Sequence, residues 1–408
     1  MFHLLHPIRL PRLPGHVLKW CALSLALSVL AGSASALFLF LLDQVTRIRG
    51  AHPWLLFLLP LCGLVVGWIY LRWGRGSERG NNFLIDEIHD PRNAIPLRMA
   101  PLVLLATVAS HLFGASVGRE GTAVQMGGAL ADQLTRWLRL DRNDRRVLLM
   151  AGISAGFASV FGTPLAGAIF GLEVLAVGQM RYEALLPCAL AAIGADKICT
   201  LWGIHHTAYA AGSIPQATLW TVAAVLLAGT VFGITGRGFA GATHALTALL
   251  KRRIPSDPWR AAAGGAVIAL AGWTLGADRY LGLGIPTIVE SFHAPLAPWT
   301  FLGKFLFTAG SLGAGFKGGE VTPLFYIGAT LGNALAPLLQ QPFPFLAALG
   351  FVAVFAGAAN TPLSSTVMAM ELFGSEIGLY ALLACVASYV FSGHSGIYRS
   401  QRVAEKKP

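Results

Sequence analysis

The sequence predicts an all-α polytopic membrane protein, and three observations carry that expectation. Of 408 residues, 55% are apolar and only 12% charged, whereas soluble chains carry about 25% charged residues. Apolar runs of span length recur from Val17 to Phe391, several of them nearly free of Asp, Glu, Lys and Arg. No polar stretch is long enough for a second, soluble domain. The expectation is therefore one integral domain over residues 1–408 without a soluble regulatory module, holding about a dozen to fifteen segments at roughly 20 residues per full span. A water-soluble enzyme is disfavoured from the outset.

The basic residues set the expected orientation. Thirty Lys and Arg against 19 Asp and Glu give a net charge of +11, but they sit in short clusters between apolar runs, at Arg9, Arg12 and Lys19, at Arg72, Arg75 and Arg79, at Arg136 to Arg146, at Lys251 to Arg253 and at Arg399 to Lys407. Such clusters read as topology signals rather than a nucleic-acid surface, and they predict that both termini are cytoplasmic. The first run, Val17 to Leu42, is too long for a signal-peptide core and has only the weak Ala34-Ser35-Ala36 as a cleavage site, so it counts as a span. Cys21, Cys62, Cys188, Cys199 and Cys385 lie scattered without metal-ligand spacing and read as small buried hydrophobes.

In order, the first half offers spans near Val17 to Leu42, Trp54 to Trp73, Leu97 to Val117, Gly121 to Trp137, Val147 to Phe161, Leu165 to Val177 and Ala184 to Trp202. The second offers Leu219 to Ile234, Phe239 to Leu250, Trp259 to Leu275, Phe301 to Leu312, Pro323 to Leu339, Phe343 to Phe355, Leu363 to Phe373 and Ile377 to Val390. Many are too short to cross a bilayer. The 47 glycines and 22 prolines interrupt them, and interrupted segments are tolerated only inside protein or beside a polar cavity.

The two halves, approximately 17–202 and 219–398, match each other twice. Gly114 to Leu130 overlays Ala314 to Thr330, pairing Glu120 with Glu320, Thr122 with Thr322 and Gly128 with Gly328. Thr163-Pro164-Leu165, with Glu173 ten residues after the Thr, recurs as Thr361-Pro362-Leu363 with Glu371 ten after it. Matched halves with broken helices at corresponding positions predict a transporter-type fold with its site between the repeats, midway through the membrane.

Gly118-Arg119-Glu120-Gly121-Thr122 puts an ion pair and two glycines at the join of two apolar spans. An intramembrane carboxylate is a functional candidate by default. The glycines let the backbone approach a ligand, and the helix beginning here offers N–H groups to an anion. Two readings stand side by side: Glu120 as a tethered anion occupying a free anion's site until a proton neutralises it, or an Arg119–Glu120 pair that merely closes a helix join. Gly318-Gly319-Glu320-Val321-Thr322-Pro323 repeats the pattern. Here Thr322 could donate its hydroxyl to an anion, while the alternative is a helix start stabilised by an acid and answered by Lys317.

Asn81 and Asn82 could donate amide hydrogen bonds to a small, strongly hydrated anion. Asp86, Glu87 and His89 include metal-ligand types, with a helix first turn at the membrane surface as the plainer reading. The symmetry of Glu173 and Glu371 favours a structural role. His205 and His206 have no partner at metal spacing, and spacing alone gives Tyr398 no role.

At these residues the chain resembles the CLC family of anion channels and proton-coupled anion antiporters, from about Gly80 to Tyr398. The GREGT segment resembles the family's GREGP element, whose Glu is the external gate, here Glu120. GGEVTP stands at the family's Gly-Gly-x-Phe-x-Pro element, and Tyr398 at its ion-coordinating Tyr. The departures are specific. GNN replaces the chloride-selecting GSGIP, placing Asn81 at the Ser position; Thr122 replaces a Pro; Glu320 replaces an apolar residue; and the internal proton-transfer Glu would fall at Val174. This set resembles the fluoride-exporting CLC-F branch and disfavours chloride selectivity.

That resemblance implies a CLC fold of roughly eighteen mostly tilted, partly broken helices in two inverted repeats, a homodimer with one pathway per subunit, and fluoride/proton antiport across a bacterial inner membrane. Glu120 would gate and couple, and Glu320 would stand in for the missing internal relay. Asn81, Thr322 and Tyr398 would line the anion pathway with Val321 and Arg119, and Gly118, Gly121 and Gly319 would contribute backbone. No cofactor, metal or nucleic acid is implied. The rival readings are a passive CLC anion channel and a membrane-embedded metalloenzyme built on Asp86, Glu87 and His89.

Overall fold

Helices dominate the computed structural model, which describes residues 13–407; Arg9 and Arg12 of the first basic cluster lie outside the described residues. The first half comprises α1 (Leu13–Ala51), α2 (Leu59–Trp73), α3 (Asn81–His89), α4 (Met99–Leu112), α5 (Glu120–Trp137), α6 (Arg142–Phe161), α7 (Pro164–Glu173) and α8 (Leu185–Leu201). The second comprises α9 (Leu219–Arg253), α10 (Asp257–Thr274), α11 (Ile285–Glu290), α12 (Thr300–Ala314), α13 (Val321–Leu339), α14 (Phe343–Ala359), α15 (Pro362–Phe373) and α16 (Gly378–Phe391). Four short 3₁₀ segments complete the helical structure among the described residues, which thus hold sixteen α-helices rather than eighteen. Two two-residue strands, β1 (Ala176–Val177) and β2 (Arg402–Val403), pair in parallel and tie the tail to the end of α7.

Two sequence expectations need correction. The spans expected at Leu219 to Ile234 and Phe239 to Leu250 are one 35-residue helix, α9. Of the two glycines between them, Gly236 is a packing contact, not a break: a Cβ there would lie 2.8 Å from the Val354 carbonyl oxygen. The Asn81 region, expected as a polar patch with a helix first turn at the membrane surface, is a nine-residue helix whose Phe83, Leu84, Ile85 and Ile88 are buried, packed on α5 and α6.

The repeats are inverted. Lys19, near the start of α1, pairs with Asp144 in the first turn of α6, so α5 runs from the middle of the protein toward that face. In contrast, the Leu339 carbonyl at the end of α13 accepts a hydrogen bond from Trp220 Nε1 at the start of α9, 3.1 Å away. This second face carries Gly50 and Gly203, the ends of α1 and α8, on one shared cavity of about 1030 Å³. α9 then returns to the first face, where Lys251 lines a cavity with Arg399. Corresponding helices thus run in opposite directions. Each packs intimately on its neighbour through glycine: a Cβ on Gly127 would fall 2.1 Å from the Gly152 oxygen, and one on Gly328 would fall 2.0 Å from the Gly350 oxygen.

The matched Thr-Pro-Leu segments show the same symmetry. Each would be expected to cap its helix with the Thr hydroxyl, yet both Thr163 Oγ1 and Thr361 Oγ1 are buried without a partner. The caps cross over instead. Glu173, the last residue of α7, accepts from the N–H groups of Leu363 and Ser364 at 2.9 and 2.8 Å. Glu371, on α15, accepts from Leu165 and Ala166 at 2.8 Å each.

A candidate anion site between opposed helix N-termini

Glycine brings the two broken segments together. Gly118 donates its N–H to the Gly319 oxygen at 2.6 Å, and Gly319 returns the bond at 2.7 Å, forming one antiparallel bridge. A Cβ on Gly319 would lie 2.8 Å from the Gly121 nitrogen, so only glycine allows this approach. From the bridge, α5 and α13 depart in opposite directions, and their first turns leave backbone N–H groups unpaired around a common point.

The Glu120 carboxylate fills that point and is fully buried. Its Oε2 accepts from the Thr322 N–H at 3.0 Å and the Arg119 N–H at 3.1 Å. Its Oε1 accepts from the Thr322 hydroxyl and lies 3.5 Å from Arg119 Nε. Two backbone donors and a hydroxyl therefore converge on one anion, with the Arg119 guanidinium at ion-pair distance but making no hydrogen bond to it. Charge-assisted bonds of this kind are about twice as strong as neutral ones, and any small anion with similar acceptor strength would satisfy the same donors.

The remaining sequence-predicted residues surround this cradle. Val321, buried, opens α13 between Glu320 and Thr322. Asn81 begins α3, with its Nδ2 only 3.0 Å from where a Gly121 Cβ would stand; its Oδ1 is buried without a partner. Tyr398 is buried edge-on to Phe170 with ring centroids 6.5 Å apart. Glu320 is set apart from Glu120: it lines a cavity of about 490 Å³ on the tail face, with Asn82, Lys317 and Arg399. On the opposite side, Arg119 and His206 line both the 1030 Å³ cavity and a chamber of about 20 Å³ beside Thr322. That chamber has room for about one water-sized particle.

Several residues escaped the sequence reading. The Asn82 Oδ1 accepts from the Ser400 N–H at 3.0 Å and so holds the segment carrying Tyr398, a tie that spacing does not show. Gln401 donates to the Val174 and Ala359 oxygens at 3.0 Å, fixing the same segment from the other side. The Thr122 hydroxyl is committed to Thr107, 2.7 Å away. None of these partners follows from local spacing, because each pair is far apart in the chain. Asp86, Glu87 and His89 diverge: Asp86 pairs with Arg79, Glu87 accepts from Asn93 and Arg145, and His89 Nε2 meets the Leu175 oxygen at 2.8 Å. Among the described residues, no group of three such side chains is placed to hold a metal.

Known proteins resemble this chain in sequence and fold. The voltage gated chloride channel family model matches residues 62–393. A chloride/fluoride channel protein of Pseudomonas syringae pv. tomato is 63% identical over 407 residues, covering 98% of this chain and 90% of its own length. A solved structure described as a CLC-type fluoride/proton antiporter superposes with a TM-score of 0.92 at 35% identity, over 95% of this chain and 98% of its own. A slow cyanobacterial Cl⁻/H⁺ antiporter matches at TM-score 0.81 and 19% identity over 93% of this chain and 96% of its own, a likeness of fold alone. On the sequence match and on the fold, this chain belongs to the voltage gated chloride channel, or CLC, family.

Proposed function

We propose that this protein is a secondary active transporter that exports fluoride in exchange for protons. One observation carries the reading: a fully buried carboxylate, Glu120, is held by donors from both repeats in a cradle suited to a small free anion. A proton delivered to Glu120 cancels its charge, weakens those bonds and releases the side chain, and fluoride takes the vacated donors. Movement of the anion then requires movement of a proton. Fluoride is the stronger hydrogen-bond acceptor among halides, and the Asn81 amide beside Gly121 adds a donor without adding charge. Glu320, facing the tail-side cavity, would pass the proton onward. The similarity to the fluoride/proton antiporter structure and to the chloride/fluoride channel protein supports this assignment.

The orientation reading rests on charge. Arg79, Lys251 and Arg399 line the cavity on the face that carries the tail, and Arg145 and Arg146 lie near the α6 start on that face. By the positive-inside rule this face is cytoplasmic, with both termini on it, in a bacterial inner membrane. A homodimer with a separate pathway in each subunit completes the proposal, and exposed apolar side chains on α8 and α16, such as Ile193, Leu382 and Val386, are available to lipid or a second subunit.

Reconstitution tests it. In liposomes, fluoride flux should far exceed chloride flux, protons should move oppositely, and Glu120→Gln should uncouple the two. Equal chloride and fluoride fluxes would overturn the fluoride assignment. The word channel in the relative's description motivates a second reading, a passive anion channel, whose null-current potential would follow the anion gradient alone.

A further inference from the structure

The tail-face cavity that reaches Glu320 carries more positive charge than its own carboxylates offset. Five cationic side chains and three carboxylates line it. Two of the cations are committed, Arg260 to Asp257 and Arg79 to Asp86. Lys317 is not. Its ammonium sits 4.2 Å from the centroid of the Tyr70 ring, with no carboxylate at ion-pair distance among the described residues. An aromatic face orients a cation and leaves its charge intact.

Arg399 is oriented differently. Its Nε donates to His244 Nδ1 at 3.0 Å and its Nη2 to the His244 carbonyl at 3.4 Å. Because Nδ1 accepts from a cation, the ring proton belongs on Nε2, which donates to the Gly396 carbonyl at 3.0 Å. A single neutral imidazole thus grips both ends of the short segment Gly396 to Arg399 that holds Tyr398. The other guanidinium nitrogen, Nη1, has no protein partner among the described residues.

We propose that Arg399 and Lys317 form an inner capture site for a single small halide beside Glu320, with His244 as the positioning residue that aims Arg399 into the cavity. This deepens the fluoride/proton exchange reading and rests on it. Arg399 and Lys317, with Lys251 as the third lining cation that has no ion-paired carboxylate among the described residues, raise the local anion concentration at the mouth of the pathway. The guanidinium supplies directed N–H donors and the ammonium a point charge. Glu320 repels the captured anion while ionised and ceases to do so once protonated, so inward proton arrival and anion capture reinforce each other.

The test is the fluoride dependence of exchange by the full chain in liposomes. Arg399→Gln and Lys317→Met should each raise the half-saturating fluoride concentration about tenfold, with maximal turnover and the proton-to-fluoride ratio unchanged. Raising ionic strength with an impermeant salt should shrink that difference, a response that a purely structural role would not give. His244→Asn keeps an acceptor near the Nδ1 position and should stay close to wild type, whereas His244→Gln, lacking it there, should behave like Arg399→Gln. Arg399→Lys, which keeps the charge and loses the two-point grip, should fall between; it decides the matter if Arg399→Gln does not fold. An unchanged half-saturating concentration in the Arg399 and Lys317 variants overturns the site. A wild type that moves fluoride without protons defeats the exchange reading instead, and the same concentration comparison then still decides whether the capture site exists.

Discussion

Thr322 gives both its backbone N–H and its hydroxyl to the Glu120 carboxylate, joining residues 202 positions apart. The backbone donor survives any substitution other than proline, so the hydroxyl can be removed alone. Thr322→Val should weaken fluoride binding by about 1.5–3 kcal/mol, the range for a hydrogen bond to a charged group, and Thr322→Ser should restore most of it. Calorimetric titration of purified protein with fluoride checks both; equal affinities in the Val and wild-type proteins would remove Thr322 from the cradle.

The bridge between Gly118 and Gly319 gives the next prediction. An added Cβ at Gly319 meets the Gly121 nitrogen at 2.8 Å and the Glu120 nitrogen at 3.2 Å. Both contacts are backbone and cannot swing aside. Gly319→Ala should therefore push the start of α13 from that of α5, abolish exchange, and cost about 1–3 kcal/mol of stability. Gly238→Ala, in the exposed middle of α9 with nothing within 4 Å of its Cβ, is the control and should be neutral or stabilising by about 0.5–1 kcal/mol. Thermal melts in detergent and liposome flux separate the two cases.

The contrast between these residues marks what can be read before a structure. Glu120, Thr322 and the paired glycines were legible because the internal repeat places the same unusual residue types at matching positions, and a buried acid in an apolar chain is conspicuous by cost alone. The inverted direction of the halves was not legible in the overlay, since self-similarity carries no sense of direction. His244 and Gln401 were invisible for a different reason, as was the tie between Asn82 and Ser400. Their partners, Arg399, Ser400 and the Val174 and Ala359 carbonyls, are distant in sequence and mostly backbone or exposed. Likewise, nothing local distinguishes the Arg237 region of α9 from a span boundary; only the packing of Gly236 against α14 does.

His89 predicts a pH response at the tail face. Burial lowers its pKa from the usual 6.5, and Arg402 and Arg181 add to that effect while the Leu175 carbonyl and Asp86 oppose it. The folded state thus binds its proton less readily than the unfolded state does. Stability from this group is complete above about pH 6.5 and is lost as the pH falls toward the depressed folded value. The junction at risk joins α3, Leu175 and the tail, where the Leu175 oxygen also accepts from Arg402 N at 3.2 Å. Hydrogen exchange at residues 400–405 should therefore accelerate on acidification, and His89→Gln, which keeps an N–H donor without a titratable ring, should flatten that dependence. A wild-type exchange profile that is insensitive to pH below 6.5 would contradict the role given to His89.

Glu173 and Glu371 supply the last prediction, because each completes the other repeat's helix. Truncating either to Ala leaves two N–H groups at a helix start without an acceptor. Glu173 is buried, with 6% of its surface exposed, so water cannot easily replace it, and Glu173→Ala should cost about 1–3 kcal/mol. Glu371 is half-buried, its orphaned donors at Leu165 and Ala166 are nearer solvent, and its loss should cost less. The order matters, since a proton relay would rank the residues by position along a pathway and not by burial. Glu173→Gln keeps one acceptor oxygen and removes the titratable group. It should retain most of the stability and leave the proton-to-fluoride ratio where it was. A changed ratio with an unchanged melting temperature would move Glu173 from the scaffold into the proton path, beside the position that Val174 leaves without an acid.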